Sequence, residues 1–282
     1  MNRIWDKDNL HAWCVTPFDE MQRGPEERAQ MLAELGIKKF AYDWREEHIP
    51  TYGDELTALN QNNIELLAWW WWYDLDDSLT TDTFELFKRH TVRPRIWVMQ
   101  ETFLPQEVLP STNEEHLARL ETEAKRIYDI AALANSYGHD VDIYTHNGWL
   151  GIIDNEIAVI DRARELGATG LGICYNFSHA RDTVHDDTVD FPALWARMQP
   201  YVTVVNLAGT HFEDGTTLYP GDGAHDLEMM RAIEGSGWRG PIGIIAESGG
   251  DAKITLQIAL DRVQWLAAEL TEPGSGGAKP GA

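Results

Sequence analysis

Apolar residues along the chain fall into two alternating patterns. Short unbroken runs, such as Gly170 to Tyr175, read as strands buried on both faces. Longer stretches repeat apolar positions every three or four residues, as amphipathic helices do. The runs predict strands at 10–16, 37–42, 64–72, 95–99, 141–145, 170–175, 201–207 and 242–246. Between and after them the helical spacing predicts helices at 25–35, 54–61, 80–90, 114–137, 154–166, 191–198, 227–234 and 252–270. Pro25 followed by Glu26 and Glu27 marks one helix start, and Gly36, Gly138 and Gly167 mark helix stops.

This alternation implies right-handed crossovers and a parallel sheet. Units repeating at roughly 27 to 47 residues fit a closed α/β barrel, a single (β/α)8 TIM barrel, better than an open doubly wound sheet. No Gly-x-Gly-x-x-Gly follows the first strand, which argues further against a dinucleotide fold. Residues 1–270 are expected to be one domain and 271–282, rich in Gly and Pro, a flexible tail.

With 282 residues, 43% of them apolar, and 12 tryptophans, the chain can build one large core. The formal net charge of -23 opposes nucleic-acid binding and favours a neutral substrate. The charged N-terminus lacks an apolar signal segment, and no run approaches the ~20 apolar residues of a membrane span. No membrane partner and a cytoplasmic location are therefore expected, with Cys14 and Cys174 as reduced, buried thiols.

In such a barrel the site collects at the C-terminal ends of the strands. That rule selects Trp13 and Thr16; Asp43, Arg45 and His48; Trp70, Trp71 and Trp72; Gln100 and Glu101; His146; Asn176 and His179; Asn206; and Glu247. Trp149 joins them as a ring that could stack on a sugar face. Along the Trp69 to Trp72 run, strand alternation sends two indoles inward and two toward the helices. His90, His116, His139, His185 and His225 are expected to be solvated, and the Gly-rich but acidic loop 206–223 reads as a lid rather than a phosphate cradle.

The residues Ala12 to Asp19, Ala41 to Arg45, and Tyr175 to His179 carry a resemblance to a known group. Together with the strand-end pattern, they make the chain resemble the xylose-isomerase-like superfamily of sugar phosphate isomerases and epimerases, over nearly all residues up to Leu270. The resemblance implies a TIM barrel, a small carbohydrate substrate and, in many members, self-association into a homo-oligomer. It also implies a divalent metal held by Glu, Asp, His and Glu at the ends of strands five to eight, the two glutamates moving the proton. Here those positions read Tyr144, Asn176, Asn206 and Glu247, so most of the charge that binds such a metal is missing. A weaker site for Mn, Co, Zn or Mg from His146, His179 and Glu247, or no metal at all, is left open.

The expected function is an isomerase or epimerase of a small sugar or keto-sugar, with Glu247, His179 and His146 as acid–base groups. Trp13, Asp43, Arg45, His48, Trp71, Glu101, Trp149, Asn176 and Asn206 would bind substrate. A lyase or hydratase on a related sugar acid or oxidised glycoside, or a non-catalytic carbohydrate-binding barrel, are the alternatives. Each residue also has a purely structural reading: Asp43 and Arg45 as an ion pair, the asparagines as strand-end hydrogen bonders, Glu247 as a salt-bridge partner.

Overall fold

The computed structural model describes residues 4–71, 75, 77–99, 110–146, 148–179, 190–209, 218–245 and 250–281. Its strands are β1 (Leu10–Trp13), β2 (Lys39–Tyr42), β3 (Glu65–Trp70), β4 (Arg95–Val98), β5 (Val141–Tyr144), β6 (Leu171–Asn176), β7 (Val202–Leu207) and β8 (Ile242–Ile245). They pair in sequence order, all parallel, and β8 closes on β1. The helices that follow them are α1 (Pro25–Glu34), α2 (Tyr52–Gln61), α3 (Ser78–His90), α4 (Asn113–Ser136), α5 (Ile153–Glu165), α6 (Phe191–Met198), α7 (Asp226–Gly235) and α8 (Ala252–Thr271). The chain is a single closed (β/α)8 barrel.

Local chemistry sets the helix ends. Asp77, Asp190 and Asp251 accept backbone N–H bonds from Leu79, Ala193 and Lys253 at the starts of α3, α6 and α8. Thr112 and Glu115 form a reciprocal capping box on α4. The strand-end turns are finer than the periodicity could show: a single α-turn at Val15–Phe18 and short 3-10 turns at Glu46–Thr51 and Phe177–His179.

Alternate strand residues fill the barrel lumen in layers. At the N-terminal end the Arg95 guanidinium forks onto the buried Asp142 carboxylate at 2.6 and 2.7 Å, and Thr203 Oγ1 donates to Asp142 at 2.7 Å. Midway, His11 Nε2 meets Asn206 Oδ1 at 3.1 Å while its ring packs edge-on against Trp97. At the C-terminal mouth Trp13 and Trp70 lie against Tyr144, with ring centroids 6.1 and 4.2 Å apart. Such bulk leaves no room for a side chain at two neighbouring positions. A Cβ on Gly243 would press on Asn206, His11 Nε2 and Trp13, and one on Gly172 on Thr203 and Asp142.

The tryptophan run alternates as expected over its described part. Trp69 packs outward on Tyr42, Tyr52 and Phe87; Trp70 faces the lumen; Trp71 packs on Phe84. Trp72 lies outside the described residues. One expectation changes. His139 is buried between Phe84 and Phe87, its Nδ1 2.9 Å from the Pro94 carbonyl, because the turn after α4 folds under α3. Within residues 272–281, the Gly277 carbonyl accepts from Trp265 Nε1 at 3.2 Å, the Pro280 carbonyl accepts from Arg262, and Lys279 Nζ donates to the Gly221 carbonyl at 2.7 Å. Among the described residues no helix is long and apolar enough to cross a membrane.

Gly243→Ala is expected to lower stability by about 1–3 kcal/mol through overpacking, read as a lower midpoint in urea. Gly235→Ala, where an added Cβ meets nothing within 4 Å, should stay within about 0.5 kcal/mol of the parent. His11 gives a second test. Burial first of all pushes its pKa from 6.5 down to about 3, against a weaker upward pull from Asn206. The native ring thus stays neutral while the unfolded chain takes up a proton below 6.5, so stability must fall as pH drops from about 6.5 toward 3. The stability difference between the parent and His11→Gln should therefore shift against the parent across that window, at up to about 1.4 kcal/mol per pH unit. A pH-independent difference in denaturation midpoints would contradict this account of the ring.

Candidate active site at the barrel mouth

Strand ends and the turns after them enclose a cavity of ≈ 320 Å³. Trp13, Trp70 and Tyr144 form its floor, Phe18, Met99 and Ile245 part of its walls, and polar groups enter from two sides. An aromatic base with a few converging polar groups is the usual build of a site for a small hydroxylated molecule.

On one side stand Cys14, Asp43 and Arg45. Asp43 directly follows β2, and its residue is only 3% exposed. Cys14 takes up a left-handed backbone (φ 51°) immediately after β1, and its thiol donates to Asp43 Oδ2 at 3.2 Å. Few non-glycine residues adopt that conformation, and here it turns the chain from β1 into the Val15–Phe18 turn. The Arg45 guanidinium pairs with the same carboxylate. Burial raises the Asp43 pKa above the usual carboxylate value, with Arg45 and the thiol pulling it back. Burial also pushes the Cys14 thiol well up, so it remains a protonated donor.

Facing them are His146, just past β5, and His179, at the end of the 3-10 turn after β6. Their rings lie 3.8 Å apart between centroids at an angle of 33°. Thr145, the residue before His146, donates through Oγ1 to Glu156 of α5 at 3.1 Å, which ties the β5 end to the helix behind it. Burial holds the Glu156 carboxyl well above its usual pKa, only partly offset by that hydrogen bond.

The floor is neutral. Asn176 donates to the Tyr144 hydroxyl and its Oδ1 accepts the Ser178 N–H at 3.0 Å. Asn206 turns down to His11 and to Cys174 Sγ. Burial raises the Tyr144 pKa well above the ordinary phenol value. The three positions that would complete a four-ligand metal centre are thus uncharged, and their polar atoms are engaged with one another or with the lumen. They do not fit that centre. Among the described residues no group of three or more His, Cys, Asp or Glu could hold a metal ion.

Of the residues selected from the sequence, Trp13, Asp43, Arg45, His146 and His179 line the cavity together. Asn176 supports it from below through Tyr144, and Asn206 lies one layer deeper in the lumen. Trp71 packs on Phe84 of α3, outside the cavity lining. Trp149 donates to His116 Nδ1 at 3.1 Å and takes the Arg119 guanidinium over its face, on the α4 side. His48 accepts the Arg45 backbone N–H at 2.8 Å and lines a neighbouring cavity instead. Glu101 and Glu247 lie outside the described residues. Trp70, also selected from the sequence, lines the cavity too, while sequence reasoning passed over Cys14, Phe18, Met99 and Ile245 as lining residues. Cys14 follows Trp13 at a strand end, so the rule that selected its neighbour could have found it.

No protein-family profile matches the chain, and no curated protein matches it in sequence. Solved structures do resemble its fold. A 3-keto-D-glucoside 4-epimerase from E. coli superposes with a TM-score of 0.62 at 14% identity, over 93% of this chain and 99% of that one. A D-psicose 3-epimerase, crystallised in the presence of D-fructose, gives 0.64 at 15% identity over 94% and 99%. The IolI protein with a bound zinc atom gives 0.65 at 14% identity over 93% and 97%. Identities this low speak to architecture alone. The chain has a TIM-barrel fold that it shares with these structures, sugar epimerases among them.

Proposed function

We propose that the protein is an isomerase or epimerase of a small sugar or keto-sugar, moving a proton at a carbon next to a carbonyl. The observation that carries this reading is the arrangement at the mouth. Ionisable and hydrogen-bonding groups, Asp43 with Arg45 on one side and His146 with His179 on the other, face each other across an aromatic floor. The fold it shares with sugar epimerases supports the same kind of reaction.

In this reading Glu247, which follows β8 two residues after the lining residue Ile245, takes the proton from carbon. The electron pair moves onto the carbonyl oxygen to give an enediolate. Arg45 and the imidazoles of His146 and His179 hold that oxygen or return a proton to it. Reprotonation on the other face of the same carbon gives an epimer, and on the neighbouring carbon an isomer. Trp13 and Trp70 offer ring faces to the sugar, and Asp43 accepts hydroxyl protons. The Arg45 charge is already matched by Asp43, so a neutral sugar suits the pocket better than a phosphorylated one. A divalent metal would take His146, His179 and Glu247 as its ligands and would polarise the carbonyl; none of the steps above requires it.

Incubation in D2O with a panel of aldoses, ketoses and keto-sugars should place deuterium at one carbon of a substrate. Glu247→Gln should slow this about 100-fold or more, and His179→Asn by a smaller factor. Loss of water without exchange into recovered sugar would instead make the enzyme a lyase. Saccharide binding with no exchange would make the barrel a binding protein. Elemental analysis of protein purified without chelator should settle the cofactor, a stoichiometric Mn, Co, Zn or Mg that is lost in His146→Ala marking a metal enzyme.

A further inference from the structure

A second cavity, of ≈ 470 Å³, adjoins the first. It is bounded by the turn after β1, the start of α1 and the segment after β2, and Arg45 lines both cavities. Two buried polar atoms on its wall have no hydrogen-bond partner among the described residues. Arg28, 4% exposed, gives Nη1 to Glu55 and Nη2 to the Arg23 carbonyl, and its Nε is left unpaired. Thr16, 9% exposed, has an unpaired Oγ1. Leaving buried donors unmet is costly, so a ligand that reaches them gains affinity.

The charges say what kind of ligand. Each arginine on the wall is already matched by an acid: Arg23 by Asp19 and Asp251, Arg28 by Glu55, Arg45 by Asp43. Glu47 adds a further carboxylate. An anion would meet acids as often as guanidinium groups. A neutral polyol would find donors and acceptors side by side, with Thr16 Oγ1 able to act as either. We propose that this chamber is a subsite for a second sugar unit. The ligand of the barrel is then a glycoside or disaccharide, its reacting ring over Trp13 and Trp70 and its attached unit against Thr16 and Arg28. The proposal rests on reading the main cavity as a sugar site.

Gly24 provides the test. It lines the chamber, a Cβ there meets nothing within 4 Å, and its extended backbone (φ -70°, ψ 176°) before Pro25 suits any residue. Calorimetric titration would compare glucose and fructose with maltose, cellobiose and sucrose, and with inorganic phosphate. At least one disaccharide should bind the parent about tenfold or more tightly than its component monosaccharides. Gly24→Phe should erase that advantage without changing monosaccharide affinity, and Thr16→Val should reduce it severalfold, both variants melting as the parent does. Monosaccharide binding with no disaccharide advantage, an advantage that survives Gly24→Phe, or phosphate binding lost in that variant would each overturn the subsite while the sugar reading of the main cavity stands. Absence of all saccharide binding would overturn both.

Discussion

Closing eight parallel strands creates a lumen that must be filled without voids, and most features of this molecule follow from how that is done. Many barrels use branched aliphatic residues in layers. Here aromatic rings and hydrogen-bonded polar pairs share the space, from Arg95 and Asp142 at the base, through His11 and Asn206, to Trp13, Trp70 and Tyr144 at the mouth. Groups this large fit only because Gly172 and Gly243 withhold side chains beside them. The charged and amide members are paired, Arg95 with Asp142 and Asn206 with His11, since a lone buried charge or amide in the lumen would cost more than the packing returns.

The same filling shapes the site. Tyr144, Asn176 and Asn206 occupy strand ends that carry metal-binding groups in the superfamily the sequence resembles. They spend their hydrogen bonds on one another and on the layer beneath. Ionisable side chains stand instead at the rim, where Asp43, Arg45, His146 and His179 border the cavity. The neighbouring chamber continues this rim rather than the lumen, which is why its walls are polar and lack the rings of the floor.

The architecture was legible because strand and helix signals are local: the runs of apolar residues and the Pro and Gly punctuation locate every strand to within a few residues. The strand-end rule also brought Trp13, Asp43, Arg45, His146 and His179 to one cavity. It failed where side-chain direction decides. Trp70 and Trp71 are neighbours at one strand end, yet only Trp70 faces the lumen, and the parity of β3 is fixed by contacts with Tyr144 that lie far away in sequence. His48 went to the adjoining chamber because the division of the mouth into two cavities depends on Arg45, whose direction is set by its pairing with Asp43.

The neutral floor has one more consequence. Burial holds the Tyr144 phenol and the Cys174 thiol far above their ordinary ranges, and the amides between them do not ionise. Over the span in which enzymes usually operate, the base of the pocket is electrostatically silent. Any bell-shaped rate profile would then report the coupled groups of the rim, without a contribution from beneath.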